Sequence, residues 1–149
     1  MRGLAIRVGV IAAILGGAFL FRNFLPSNAG NLAVGDCFDP PSGSGTVEDV
    51  QHHPCTDAHG AEVIFVGSYE PATDAYPSDD EFLAFFDARC FPAFIDYTGL
   101  DVEAAQAASL DFHAYTPTTD GWTGGDRKVI CYIIKTDGSQ MTSSVKKAS

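Results

Sequence analysis

The sequence predicts an α+β domain: a mostly antiparallel sheet with one phenylalanine-rich helix packed on a face. Three observations carry that expectation. Residues 62–68 and 128–135 are apolar on both faces and read as central strands. A stretch opening at Ser78 repeats phenylalanine at helical spacing. Strands and helices do not alternate as repeated βαβ units, which removes a doubly wound parallel sheet. An even set of cysteines, Cys37, Cys55, Cys90 and Cys131, adds two disulfides.

The elements follow in chain order. Residues 8–21 are an apolar run with Arg2 and Arg7 before it. As a helix it reaches about 21 Å at ~1.5 Å per residue, short of a ~30 Å hydrocarbon core. Leu4, Ala5 and Ile6 extend it on one side, Phe24 and Leu25 on the other, and Arg7 and Arg22 can snorkel to the two interfaces. The expectation is a signal-anchor over residues 1–25. It spans the membrane once, with the N-terminus cytoplasmic and the domain outside. The alternative is cleavage following Ala29, in Ser27-Asn28-Ala29, which yields a secreted protein. A linker at 26–31, a domain at 32–144 and a polar tail at 145–149 complete the expected division.

Within the domain, residues 32–38 read as a first strand and 39–45, rich in Pro and Gly, as a loop. Residues 46–50 read as a returning strand, 62–68 as a central one and 69–77 as a loop. Ser78-Asp79-Asp80-Glu81 is a capping box. The helix after it puts Phe82, Phe85, Phe86, Cys90 and Phe94 on one face, and Pro92 predicts a kink near Ala88. Tyr97-Thr98-Gly99 closes it. Residues 101–108 read as a short second helix and 110–115 as a half-buried strand. Residues 116–125 read as a loop holding Trp122. In 128–135, Val129, Cys131 and Ile133 share one face, and Ile130, Tyr132 and Ile134 the other.

Charge narrows the function classes. The net charge is −10, yet Arg2, Arg7 and Arg22 precede every acidic residue. The domain keeps 9 − 3 = 6 basic against 19 acidic residues, a charge of −13. Such a surface repels phosphate backbones and anionic headgroups, so no nucleic-acid partner is expected.

With these motifs laid out, the chain resembles the septum formation family of exported and membrane-anchored actinobacterial proteins. The resemblance rests on Val34-Gly35-Asp36-Cys37-Phe38-Asp39, on Val50 and Pro54-Cys55, and on His59 with Glu62-Val63. It continues through Tyr76-Pro77, Cys90, Phe94, Tyr97 and Gly99 to Pro117, Trp122-Thr123-Gly124-Gly125-Asp126-Arg127 and Cys131. Ala58 stands where the family usually has proline. The resemblance implies an envelope location and a link to cell division, and transfers no catalytic residues.

Four cysteines allow three pairings, and spacing does not choose. Packing favours Cys37–Cys55, closing the first loop, and Cys90–Cys131, tying the helix to a central strand. His52, His53 and Cys55 invite a metal reading, set against the expected oxidation of Cys55. Asp36, His59, Glu62, Asp126 and Arg127 form the candidate polar cluster, since a charge such as Arg127 is buried only when paired. Tyr76 and Trp122 are the candidate contact surface. There is no Gly-x-Ser-x-Gly elbow and no Cys-x-x-Cys pair. No cofactor and no enzyme activity are expected.

The expected function is a membrane-anchored extracytoplasmic envelope domain, a non-catalytic interaction or structural module linked to septum formation. Its expected partners are the membrane, through the N-terminal helix, and a protein or the cell wall. Alternatives are an enzyme acting on an envelope polymer through a His59/Asp126/Arg127 cleft, and a small-ligand or metal-binding module.

Overall fold

A computed structural model describes residues 26–42, 45–71 and 73–148. The expected signal-anchor at 1–25 lies outside the described residues. Among them no helix is long and apolar enough to cross a membrane.

Six antiparallel strands form one sheet in the order β1-β3-β2-β4-β6-β5. They are β1 (Pro26–Asn28), β2 (Cys37–Asp39), β3 (Asp49–His53), β4 (Ala61–Ser68), β5 (Leu110–Tyr115) and β6 (Lys128–Lys135). The sheet curls: Lys128, opening β6, donates to the carbonyl of Gly30 just past β1, at 2.7 Å, although three strands separate them.

The two central strands are apolar on both faces because both faces are covered. On one side Ile64, Val129, Cys131 and Ile133 pack with Cys90, Phe94 and Tyr97 of the helical layer. On the other, Phe38, Ala61, Val63, Ile130 and Tyr132 pack with Ala29, Leu32 and Val50. A bulge between Val63 and Phe65 shifts the register of β4 on β6. It sends Ile64 and Phe65 to the helix side in succession, while Val63 and Val66 keep to the other.

The phenylalanine-rich helix runs without a break as α1 (Asp79–Phe85), a π-helical turn (Phe86–Cys90) and α2 (Phe91–Thr98). Where a kink was expected near Ala88, the helix makes this π turn. Pro92 has no N–H to give to Ala88, and the Phe91 N–H reaches back five residues to the Phe86 carbonyl. Pro92 then sits in the first turn of α2, where it is tolerated. The capping box at Ser78 and Glu81 forms in both directions. Gly99 ends α2 in the left-handed region, at φ 73°. A helix α3 (Val102–Ala107) leads into β5, and α4 (Thr119–Thr123) precedes β6.

Five expectations need correction. Residues 26–31 are not a linker: β1 pairs with β3, residues Ala29–Asn31 form a 3-10 turn, and Ala29 is buried. The first strand is only Cys37–Asp39, because Asp36 caps a turn by accepting from the Ala33 N–H at 2.9 Å. The returning strand is Asp49–His53 rather than 46–50. The loop at 116–125 contains α4, capped by the Thr118 hydroxyl. The end of the chain is also no free tail. Met141 is buried, Val145 packs on the helix-side core, and the Lys147 N–H donates to the Tyr97 carbonyl at 2.8 Å.

Candidate functional site

Glu62 and His59 are the two fully buried polar side chains among the described residues. Glu62 stands on β4 directly opposite Cys37 of β2. A carboxylate in a strand of apolar residues is tolerated only when its lone pairs are filled. Three donors fill them. Tyr97 Oη and Ser144 Oγ each donate to Oε1 at 2.5 Å, and the Val145 N–H donates to Oε2 at 2.8 Å. Burial, then the hydrogen bond and charge of Glu62, hold the Tyr97 hydroxyl above the ordinary tyrosine range, so it remains a donor.

Glu62 also sits against the first disulfide. One carboxylate oxygen and the sulfurs of Cys37 and Cys55 all lie within 4.8 Å of one another, the single such group of potential metal ligands among the described residues. The two sulfurs are bonded to each other, so neither is a free thiolate donor. The second bridge joins Cys90 of the π turn to Cys131 of β6. Both pairings are those that packing favoured.

His59 lies two residues before β4 and exchanges both backbone hydrogen bonds with Met141, at 2.9 Å each. Its ring is fully buried. Nδ1 lies 2.7 Å from the Asp57 carbonyl, which only accepts, so Nδ1 is the donor there. Nε2 has no hydrogen-bond partner among the described residues.

Asp126 and Arg127 lie elsewhere. Ala61 pairs with Ile134, and Ser68 with Lys128, so His59 and Arg127 flank opposite ends of the β4–β6 ladder. About 25 Å of strand separates them at ~3.3 Å per residue. Arg127 stacks on the Trp122 ring at 3.6 Å and donates to the carbonyls of Trp122 and Asp126. Asp126 accepts from the Lys128 N–H. The expected cluster is therefore three local arrangements: Asp36 in its turn, His59 and Glu62 under the chain's end, and Asp126 with Arg127 at the tryptophan.

The expected contact surface also divides. Trp122 is 4% exposed and donates to the Asp74 carbonyl, whereas Tyr76 is 41% exposed. Tyr76 lines a groove of about 510 Å³ with Thr46, Tyr115, Asp126 and Lys128. The adjacent histidines do not converge on one ion: His53 and His52 pair with Cys37 and Phe38, so they alternate across the strand. His53 Nε2 lies 2.8 Å from Asp39.

Sequence reasoning placed Tyr97 at the helix end and among the family's residues but not beside Glu62, and gave no role to Met141, Ser144 or Val145. The signal that could have found their role is Glu62 itself, a carboxylate amid Val, Ile and Phe that needs donors from outside its own strand.

A family model described as septum formation matches residues 27–131. Comparison with curated proteins and with solved structures gives no match.

Proposed function

The chain belongs to the septum formation family, and from that premise we propose a non-catalytic interaction module of the actinobacterial cell envelope, acting in cell division. Residues 1–25 anchor it to the membrane and the domain lies outside the cytoplasm. Its partner is a protein or the cell wall. The apolar run at 8–21 with flanking arginines supports the anchor. Two disulfides suit an oxidising compartment.

One observation carries the non-catalytic reading: the family's ionisable residues are engaged by other protein groups. Glu62 has three donors, Arg127 has the tryptophan and two carbonyls, and the His59 Nδ1 has the Asp57 carbonyl. A catalytic carboxylate or imidazole needs a face open to substrate. The groove beside Tyr76 favours a second reading, a small-ligand module.

The test is a fluorescent fusion to the full chain imaged in dividing cells, with the intact mass of membrane-extracted protein. Enrichment at septa and an unprocessed N-terminus are expected. Even distribution around the envelope removes the division role. A mass beginning at Gly30 removes the anchor.

A further inference from the structure

We propose that the groove formed by Glu62, Tyr97 and the backbone at His59 is a peptide-binding groove. It is filled in cis by residues 139–148 and opens by exchange to an extended segment of a partner protein. The partner segment has the same chemistry: a hydroxyl residue, an apolar residue and then two cations.

The seated segment shows what the groove accepts. It contains no helix and no ladder strand, bends at Thr142 and Ser143, and is held to the domain at separate points, as a peptide ligand can be. Met141 adds one antiparallel bridge to His59. Ser144 and Val145 put a hydroxyl and an N–H on the two oxygens of Glu62. The Lys147 N–H donates to the Tyr97 carbonyl, and the Lys146 ammonium lies 5.8 Å from the centre of the Tyr97 ring. The stem of Lys147 covers Gly99, where a Cβ would meet it at 3.3 Å.

Three further observations favour exchange over a fixed seam. The seat continues into open surface: a solvent-open depression of about 340 Å³ lies between Ile64, Ala93, Asp96 and Tyr97 and the two lysines. The segment hangs on an exposed turn at Gly138, φ 74°, and lies beyond the family's matched residues, whereas His59, Glu62 and Tyr97 lie within them. Charge complements the fit. Lys146 and Lys147 are two of the six basic residues after Arg22, leaving four against 19 acidic residues on the rest of the domain. The groove thus selects a basic extended peptide and rejects an acidic one.

This inference rests on the interaction-module reading and names the partner's chemistry. Its test uses purified protein, so it can fail while septal localisation holds. A protease site is placed between Asp137 and Gly138 of the full chain, and the chain is cut. A labelled peptide of residues 139–149 is then added, and exchange is followed by native mass spectrometry and fluorescence anisotropy. The cut chain is expected to keep its fold, and the labelled peptide to replace the cut segment saturably. A peptide with Val145→Pro lacks the N–H that Glu62 accepts. It should bind about tenfold or more weakly, as should a peptide with Lys146→Glu and Lys147→Glu. These variants lie in the peptide, so the protein's folding is untouched. Unfolding on cutting, a folded cut chain that takes up no peptide, or equal binding of the proline peptide overturns the proposal.

Discussion

Tyr97 donates its hydroxyl to Glu62 at 2.5 Å in the interior, joining the end of α2 to the second residue of β4. The same carboxylate holds Ser144 and Val145 and lies against the Cys37–Cys55 bridge. One side chain therefore ties helix, sheet, first disulfide and chain end together.

Glu62→Ala should be the most damaging single change in the polar set. It leaves a tyrosine hydroxyl, a serine hydroxyl and a backbone N–H without their acceptor. Tyr97 is buried and its unmet hydroxyl costs roughly 1–3 kcal/mol, whereas Ser144 is exposed and Val145 half-buried and both can turn to water, so a loss of about 2–4 kcal/mol is expected. Tyr97→Phe removes one donor and should cost about 1–3 kcal/mol. Urea unfolding of both variants measures this, and the order Glu62→Ala worse than Tyr97→Phe is the prediction.

The two disulfides should differ in their response to reductant. Cys90 and Cys131 are fully buried, while Cys55 is half-buried and offers a sulfur to attack. Limiting water-soluble thiol should open Cys37–Cys55 first, read by alkylation and peptide mapping. Removing Cys90–Cys131 by double serine substitution should cost about 2–5 kcal/mol, because it ties the helical layer to β6.

Arg127→Lys should not behave as a conservative change. Lysine keeps the charge but loses the planar stacking on Trp122 and the paired carbonyl contacts. A loss of about 1–2 kcal/mol is expected. Trp122 is the only tryptophan, so its emission should shift in the folded variant. Unchanged emission and unchanged stability would show that the stacking contributes nothing.

Stability should fall in alkali. Burial, then the influence of Glu62, raises the Tyr97 hydroxyl above its ordinary value. Burial, then Tyr132, does the same for Tyr115. The unfolded tyrosines release their protons near pH ~10 while the folded ones keep theirs. The contribution is therefore whole below that pH and is lost as pH rises through the folded values. A chevron or urea series from pH 8 to 11 should show a flat region followed by a decline. Tyr97→Phe should make that decline shallower.

What the sequence revealed depended on how local the cause was. β6 matched residue for residue, because apolar side chains on both faces of an eight-residue run have one simple explanation. The capping box placed the start of α1 because its two partners are three residues apart. β1 was hidden because three residues opening on proline carry no periodicity, and its pairing to β3 depends on the sheet's edge. The role of Met141 was hidden for a related reason: one apolar residue amid polar ones carries no periodicity. Glu62 was marked as a site residue, but its partners lie 35, 82 and 83 residues away, and only the folded chain brings them together.

The central claim is that Glu62 holds the chain's end as a hydrogen-bonded segment. Amide hydrogen exchange at Val145, followed by NMR in the full chain and in Glu62→Gln, tests it most directly. The account predicts slow exchange at Val145 in the natural chain, comparable with Met141 and Lys147. In the variant Val145 should exchange faster while β6 stays protected. Exchange at Val145 as fast as in an unstructured peptide, with β6 protected in the natural chain, would contradict it.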